Sequence, residues 1–565
     1  MPTDIPEIRQ SLESLMSDKS NQWSWSSCGL SSASHSIPAL IHEDAYSPNS
    51  KKARVLVIVG SSDTSSRAHI LDMLFRCYLE HPNQDGIALS LIPDTNVNSV
   101  ESSQGGIAGV CHLGTGYPPS DKFYQDAQGL EHQYLWRWIA FNAPDLILEI
   151  RIGKSVRWEA NDAVVDLPLT VGASHVSDYD SLLGAIGKIQ NDTPGTIPGL
   201  RLTVTEDNLV TEAKRLLDVI GQTRGWHSSA ARKELDRRRN RDYLDIGRIL
   251  SKQYGRDLDV MVYTKGVGIS GRLILDSLIP KSGILDHLDE VIEPVLNGEK
   301  DLFGESPGSS TIGGIIWAYD LATLKGDKRA EKLIISSAEY FAANGHGLPP
   351  KCADPNFRVE DMFNCNAILG RAYGLTSDAK YVDIMSEFLL SADTQQEDGL
   401  FIHARGAPYY WGRGNGFAAL GFAETLTYMP EDHQNRARVL EIHRRHLGSL
   451  RDLQQASGMY WQMLDLPGSY QEFTCTCMVG YSMARGIRLG WLDPSFMDSV
   501  HLAWQGVAER IDDDGNIVDG CISTGVQSSV QEYLDREAIF GRDDRSGSLA
   551  LWFAVEMQLL RDSFK

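Results

Sequence analysis

The chain has 565 residues, of which 42% are hydrophobic and 23% charged, and its formal net charge is −22. This composition is typical of a folded protein that is too long for one average core, so it predicts more than one domain. The acidic charge argues against general binding to nucleic acids or anionic membranes, and no apolar run is long enough to span a bilayer.

The cysteines and the first residues bear on the cellular compartment. The 8 cysteines are scattered, which fits reduced thiols better than a disulfide framework. Cys475 and Cys477 lie in an apolar helical pattern that favours packing over metal binding. Residues 1–7 are polar and lack the basic and apolar regions of a secretory signal, so we expect a cytoplasmic protein.

The first part of the chain predicts an irregular arm followed by an α/β domain. Residues 1–50 are rich in serine and show little periodicity, which indicates the arm. Residues 51–222 alternate short β-branched runs with segments whose apolar residues recur at helical spacing, which predicts an α/β layer domain. The predicted strands are Ala53–Gly60, Ile87–Pro93 and Asp145–Arg151, and the predicted helices are Ser66–Glu80 and Gln133–Phe141.

Residues 223–565 predict a helical domain whose helices are joined by loops that carry Gly or Pro. Loops that contain Asp398-Gly399, Ser457-Gly458 and Asp514-Gly515 recur roughly every 58 residues, which suits a helical hairpin plus its loop. Hairpins of this size that close on themselves form an α/α toroid. The predicted helices are Glu234–Tyr254, Gly313–Leu324, Arg329–Asn344, Glu360–Tyr373, Ala379–Leu390, Gly416–Tyr428, Arg436–Gln455, Glu472–Leu489, Ser495–Arg510 and Gly547–Arg561.

A glycine-rich loop before one of these helices concentrates the residues that suit an anionic sugar: His403, Arg405, Trp411 and Arg413. A tryptophan offers a flat face to a sugar ring, and an arginine offers a planar fork to a carboxylate. Because the chain is strongly acidic, an anionic ligand needs a local positive cluster, which these side chains supply. Trp and Phe at a junction of loop and helix are also common core residues, so the loop alone leaves both interpretations open.

Several motifs together resemble a known family. They are Tyr410–Phe417, Ser457–Asp465, Gly468–Glu472 and Ala484–Asp493. In this order they resemble the unsaturated rhamnogalacturonyl hydrolases of glycoside hydrolase family 105 and the related unsaturated glucuronyl hydrolases, over about residues 225–565. The resemblance implies a mainly α protein, with an (α/α)6 barrel over 223–565 preceded by the smaller α/β domain.

The resemblance also implies catalytic residues. In the family the acid/base is an Asp in a segment of the type Asp-x-Leu-Tyr-Met, and Val359–Arg371 is the matching segment here. The strict match places Glu360 at the catalytic position, whereas a shift of one residue assigns the role to Asp361, and both stay open. We expect the acid to have a raised pKa. A pair of acidic residues at a helix start also stabilises the helix dipole, which is the competing structural interpretation.

The resemblance also implies substrate-binding residues. The family positions that contact the uronate or the neighbouring sugar are occupied here by His403, Trp411, Arg413 and Phe417, and the family has a Trp at the position of Phe417. Arg405 has no family match, but it lies two residues from His403 and is a candidate carboxylate clamp. The family implies no metal and no organic cofactor. Isolated histidines such as His433, His443 and His446 lie on a polar helix or at its start and are predicted to be surface residues.

The N-terminal domain weakly resembles the zinc carboxypeptidase-like α/β fold through Val55–Gly60, Tyr134–Ile139 and Ala143–Glu149. Catalytic members carry a His-x-x-Glu zinc pair after the first strand, where this chain has Ser and Asp. A mononuclear zinc site needs three protein ligands, so we expect no peptidase activity and a structural or gating role.

The sequence thus predicts a glycosidase that removes the terminal unsaturated uronic acid, with its C4–C5 double bond, from lyase-generated pectin or rhamnogalacturonan oligosaccharides. The predicted partner is that oligosaccharide, with no nucleic acid and no membrane. Two alternatives remain. One is a carbohydrate-binding pseudoenzyme, which the replacement of Asp by Glu360 favours. The other is another α/α-toroid sugar enzyme such as an epimerase, which needs a pair of histidines facing the cavity.

Overall fold

The computed structural model describes residues 6–16, 20–59, 64–95, 116–119, 130–165, 173–189, 193–222, 228–300 and 303–565. These residues divide into two compact units, of which the first is Met1–Arg237 with Leu466–Tyr470 and the second is Arg238–Asp465 with Gln471–Lys565. The predicted domain boundary between residues 222 and 223 lies earlier in the chain than the boundary between these two units, which follows Arg237. It lies directly after a helix that ends at Gln222. The functional division into domains stays a prediction.

In the described part of the first unit, eight strands form one sheet in the order β1-β2-β4-β3-β5-β8-β6-β7. The strands β4, β3, β5 and β8 run parallel, and β1 and β2 form an antiparallel hairpin at one edge. The strand bounds are β1 Trp23–Leu30, β2 Ser36–His42, β3 Ala53–Val59, β4 Ile87–Ile92, β5 Leu146–Ile152, β6 Arg157–Ala160, β7 Ser174–His175 and β8 Gly199–Val204. The helices are α1 Pro6–Leu15, α2 Thr64–Leu79, α3 Leu130–Asn142, α4 Leu182–Ile186, α5 Glu206–Gln222 and α6 Ala230–Arg239.

The predicted α/β layer is confirmed, and β3 is buried along its whole length, as a central parallel strand should be. The prediction of an irregular arm over residues 1–50 is wrong, because this segment contains α1, β1 and β2. The serines of β1 obscured the strand pattern. Ser27, for example, is fully buried, and its hydroxyl donates to the carbonyl oxygens of Gly29 and Ile37, so a polar residue occupies an interior strand position.

The second unit is helical. Its helices are α7 Tyr243–Ser251, α8 Tyr263–Leu278, α9 Leu288–Leu296, α10 Ser309–Ile312, α11 Trp317–Lys325, α12 Lys328–Ala338, α13 Val359–Thr376, α14 Ala379–Ser391, α15 Gly412–Tyr428, α16 Arg436–Leu453, α17 Phe473–Arg488, α18 Met497–Glu509, α19 Val530–Leu534 and α20 Asp544–Ser563. Two short antiparallel pairs accompany them, β9 Tyr460–Trp461 with β10 Gln471–Glu472, and β11 Ile517–Cys521 with β12 Ala538–Gly541.

The inner helices form a ring in which each contacts the next, in the order α13, α15, α17, α20 and α8. Helix α8 also contacts α11, and α10 closes the ring because it touches both α8 and α13. The helices α7, α9, α12, α14, α16 and α18 lie outside this ring. The described helices therefore form inner and outer layers in alternation, and the predicted (α/α)6 barrel is confirmed.

The sequence analysis missed the inner helix α8 because it is rich in glycine, a weak helix former. Close packing explains these glycines. A Cβ atom at Gly266 would lie 2.4 Å from the carbonyl oxygen of Gly314, and one at Gly268 would lie 2.8 Å from the backbone nitrogen of Gly255. Tertiary contact therefore outweighs helix propensity here.

The amino ends of the inner helices meet at one end of the barrel. Tyr263 at the start of α8 accepts a hydrogen bond from Arg545 in the first turn of α20, at 3.1 Å. The ring of Tyr263 also packs against Phe363 of α13 and Phe417 of α15. Side chains that begin different inner helices are thus brought together, although they are far apart in sequence.

Candidate active site

Glu360 and His403 form the centre of this end of the barrel. Glu360 lies in the first turn of α13, and the preceding residue, Val359, donates its backbone N–H to the carbonyl oxygen of His403 at 3.1 Å. His403 is fully buried, and its Nε2 lies 3.2 and 3.1 Å from the two carboxylate oxygens of Glu360. Glu360 is only 9% exposed, so the acid is nearly buried and its carboxylate lies against the histidine.

The other ring nitrogen of His403 contacts a residue that the sequence analysis missed. Nδ1 of His403 lies 2.5 Å from the hydroxyl oxygen of Tyr533 in α19, which is 130 residues away in the chain. Because a histidine with both nitrogens engaged has a defined orientation, this contact fixes the imidazole against Glu360. The two residues are too far apart in sequence for any local pattern to indicate the pair.

Trp411 and Arg413 lie beside this group. The ring centroid of Trp411 is 4.6 Å from that of His403, and the guanidinium carbon of Arg413 lies 4.6 Å from the centroid of the Trp411 ring. Arg413 is only 2% exposed and donates to the carbonyl oxygens of Cys521 and Ile522. In this structure Arg413 therefore anchors the chain after β11, and its predicted contact with a uronate stays a prediction.

Asp361 is placed differently from Glu360. It is fully buried, accepts hydrogen bonds from the hydroxyl of Ser309 and, at 2.7 Å, from the backbone N–H of Asp354, and pairs with Arg358 at 3.0 Å. These contacts join the start of α13 to the segment before it and to α10. The geometry favours Glu360 over Asp361 as the residue that faces His403, and the assignment of the acid stays a prediction.

The two carboxyls have opposite pKa shifts. Burial alone would raise the pKa of Glu360, but the interaction with His403 and the Arg358 guanidinium outweigh it and hold the pKa below its ordinary value. Burial raises the pKa of Asp361 despite the opposing charge of Arg358. The raised pKa expected of the acid is therefore found at Asp361 and not at Glu360.

Arg358 is a second residue that the sequence analysis missed. Its Nε lies 3.7 Å from a carboxylate oxygen of Glu360, and its side chain is 31% exposed. Its terminal nitrogen also pairs with Asp361 at 3.0 Å, and its side chain is more exposed than that of Arg413. An arginine two residues before a candidate acid is a signal that could have identified it.

Arg405 and Phe417 do not join the pair of Glu360 and His403. Arg405 pairs with Asp393 at 2.5 Å and stacks its guanidinium 4.1 Å from the centroid of the Phe357 ring, with 37% of its side chain exposed. Phe417 is buried in the barrel core between the rings of Tyr263 and Phe363. Their predicted contacts with the substrate stay predictions.

The prediction that His443 and His446 are surface residues is wrong. Both are fully buried on α16, where the ring of His443 stacks on Phe422 and Nε2 of His446 lies 3.1 Å from Oδ1 of Asn415. Burial lowers the pKa of His443 to about 3 and that of His446 well below its ordinary value. Asn415 in turn holds both backbone groups of Phe401 at 2.9 Å, two residues before His403.

The remaining predicted features concern cysteines, metals and membranes. Cys475 and Cys477 are buried free thiols within α17, as predicted for packing residues. Within the described ranges, no group of three or more His, Cys, Asp or Glu side chains could hold a metal ion. The sequence analysis predicted that the His-x-x-Glu zinc pair is absent from the chain directly after β3. This stretch lies outside the described residues. Among the helices of the described chain, none is long and apolar enough to cross a membrane.

The inner and outer helices define an (α/α)6-barrel protein that carries an acid, a histidine and a tryptophan at one end. The chain belongs to glycosyl hydrolase family 88, whose sequence profile matches residues 256–560, more than half of its length.

Similar proteins agree with this membership. An unsaturated 3S-rhamnoglycuronyl hydrolase of Alteromonas sp. (strain LOR) is 29% identical over 158 residues, which cover 25% of this chain and 38% of that protein. The unsaturated rhamnogalacturonyl hydrolase YesR of Bacillus subtilis (strain 168) is 26% identical over 124 residues, which cover 22% of this chain and 34% of that protein. The matched stretches thus span little more than a third of these relatives.

Solved structures show the same fold. A possible member of the GH105 family from Klebsiella pneumoniae subsp. pneumoniae MGH 78578 has a TM-score of 0.50 at 18% identity, over 59% of this chain and 94% of that chain. The family 105 glycoside hydrolase of C. acetobutylicum ATCC 824 also has a TM-score of 0.50, at 17% identity, over 55% of this chain and 99% of that chain. At these identities the likeness shows the fold alone.

Proposed function

We propose that the protein is a glycosidase that removes the unsaturated uronic acid from the end of lyase-generated oligosaccharides, with pectin or rhamnogalacturonan fragments as substrates. The activities for which the two relatives above are named support this class of substrate. The observation that carries the proposal is the pair of Glu360 and His403 at the end of a family 88 barrel where the inner helices begin. An acid whose carboxylate is held by a buried histidine suits proton transfer to a bound sugar.

The reaction needs one acid. The unsaturated uronic acid is a vinyl ether, so a proton given to C4 creates positive charge at C5 that the ring oxygen shares. A water oxygen then bonds to C5 and returns its proton to the carboxylate, and the resulting hemiketal opens and releases the next sugar. This differs from ordinary glycosidases, in which two carboxylates act at the anomeric carbon.

Glu360 must carry a proton before it can act, although the contacts around it lower its pKa. The substrate supplies a physical reason for protonation. A uronate carboxylate that binds near Glu360 adds a like charge, and it also competes for the positive charge of Arg358 and for the N–H of His403, so the pKa of Glu360 rises on binding. Substrate binding would thus favour the protonated form of Glu360 that the reaction needs.

Arg358 is the proposed clamp for the uronate carboxylate. Of the three arginines near the site, Arg413 is bound to backbone carbonyls, and Arg405 is paired with Asp393 and does not contact Glu360. Arg358 is paired with Asp361, but it also lies 3.7 Å from Glu360 and its side chain is partly exposed. A guanidinium next to the acid can hold the carboxylate on C5 while C4 faces Glu360. The role of the N-terminal α/β unit remains, in this proposal, structural or gating.

The test is the loss of the ultraviolet absorbance of the conjugated C4–C5 double bond when the protein is incubated with lyase digests of different polysaccharides. We expect the absorbance to fall with a rhamnogalacturonan lyase digest and a free sugar to appear. An unchanged absorbance with measurable binding would support the pseudoenzyme instead. An unchanged absorbance with a stereochemically altered sugar would support an epimerase.

A further inference from the structure

Tyr533 occupies a buried position next to the proposed acid. The residue is fully buried, and its ring centroid lies 5.4 Å from that of Tyr409 and 6.2 Å from that of Trp411. Its hydroxyl oxygen accepts the backbone N–H of Gln527 at 3.2 Å and lies 2.5 Å from Nδ1 of His403. The phenol thus has two defined partners in a site shielded from water.

The segment that carries Tyr533, residues 522–537, is fixed from several sides. Arg413 donates to the carbonyl oxygen of Ile522 at 2.7 Å, and Tyr409 donates to that of Ser528 at 2.6 Å. Gln462 donates its side-chain amide to the carbonyl oxygen of Tyr533 itself at 2.5 Å. Because these contacts hold the backbone at Tyr533 and before it, its hydroxyl has little freedom to leave His403.

Counting protons assigns the tautomer of His403. A phenol has one proton, and the oxygen of Tyr533 already accepts from Gln527, so its proton is available for Nδ1 of His403. The neutral imidazole then carries its own proton on Nε2 and donates it to Glu360. In the opposite arrangement Nδ1 donates to the phenol, whose proton must find another acceptor inside a buried pocket, which costs free energy.

We infer that Tyr533 is a positioning residue that keeps His403 in the Nε2–H tautomer and so controls the pH at which Glu360 gains its proton. The inference rests on the proposed function, because it assumes that Glu360 is the acid. Other charged or titratable groups face the same cluster. Arg358 and Asp361 lie on the side of α13, and Tyr409 and Glu532 interact with Tyr533 from the other side.

The first test is the pH profile of kcat for Tyr533→Phe. Without the hydroxyl, the Nδ1–H tautomer becomes accessible, and its bare Nε2 accepts a hydrogen bond from the protonated carboxyl of Glu360, so the carboxyl stays protonated to higher pH. We expect the alkaline limb of the profile to move up by at least about half a pH unit. We also expect kcat at the optimum to fall about tenfold, with KM within about twofold.

The matched control is Tyr254→Phe, which removes another fully buried hydroxyl that donates to a backbone carbonyl, that of Gly515 at 2.7 Å. This variant should show the pH profile of the unmodified protein. If Tyr533→Phe also keeps that profile and its kcat, the inference is overturned.

The second test needs no variant of Tyr533 and no substrate. Nitrogen NMR of the intact protein labelled at histidine reports which ring nitrogen of His403 carries the proton, with the signal assigned by its loss in His403→Gln. We expect the proton on Nε2, and a proton on Nδ1 alone would overturn the inference. If the proton is on Nε2 but unsaturated uronates are not consumed, the proposed function fails and the tautomer assignment stands.

Discussion

Three arginines lie near the site, and Arg358 is the one whose partly exposed side chain lies beside Glu360. Replacement of Arg358 by Gln removes this guanidinium. If Arg358 holds the uronate carboxylate, the variant loses a charge-assisted hydrogen bond, which is worth about 1.5–3 kcal/mol. Because the side chain is 31% exposed, water screens the interaction, and we expect the lower end of that range. A loss of about 1.5 kcal/mol weakens binding roughly tenfold.

The assay compares two ligands by isothermal titration: an oligosaccharide with an unsaturated uronate end, and the same molecule with that carboxyl as a methyl ester. Arg358→Gln should weaken binding of the charged ligand about tenfold and that of the ester less than about twofold. Arg438→Gln is the control for the change in net charge, because Arg438 lies exposed on the outer helix α16 and pairs only locally with Glu441.

Equal losses for both ligands would refute the clamp and show that Arg358 acts through Asp361, with which it pairs at 3.0 Å. A larger charge-specific loss in Arg405→Gln than in Arg358→Gln would instead assign the clamp to Arg405, as the sequence analysis suggested.

Three further predictions follow from the same contacts. Arg413→Ala should weaken binding of the charged ligand and its ester equally, because Arg413 holds the carbonyl oxygens after β11, and a loss confined to the charged ligand would restore its predicted clamp role. Arg371→Met breaks a buried ion pair with Glu424 and should lower the free energy of unfolding in urea by about 3 kcal/mol, and an unchanged urea midpoint would contradict this. Burial lowers the pKa values of His443 and His446 in the folded state, so their contribution to the free energy of unfolding should be complete above about pH 6.5 and fall as the pH drops towards 3. His443→Phe should make the free energy of unfolding depend less steeply on pH in this range. An unchanged pH dependence would show that His443 does not contribute to it.

Several elements were predictable because their signal is local. The repeated Gly-bearing loops indicated helical hairpins, and the buried strands around β3 showed β-branched runs. The two buried histidines also had such a signal, because Val439, His443, His446, Leu447 and Leu450 share one face of α16 at helical spacing. The polar residues between them led to the wrong prediction, since the composition of the segment was given more weight than its periodicity.

The rest of the site was not predictable from local pattern. Tyr533 reaches His403 only through the closure of the barrel, and neither its type nor its neighbours indicate this contact. The choice between Glu360 and Asp361 depends on which way each side chain leaves the first turn of α13, and neighbours in a helix differ by about 100° in direction. Helix α8 was missed because its glycines serve contacts with other helices rather than helix propensity.

The most direct test of the central claim is single-turnover loss of the ultraviolet absorbance of the C4–C5 double bond in Glu360→Gln. Glutamine keeps the shape and the contact with His403 but has no proton of suitable acidity, so the rate should fall at least about a hundredfold while binding persists. A Glu360→Gln protein that retains the rate, together with an inactive Asp361→Asn protein, would contradict the account and assign the acid to Asp361.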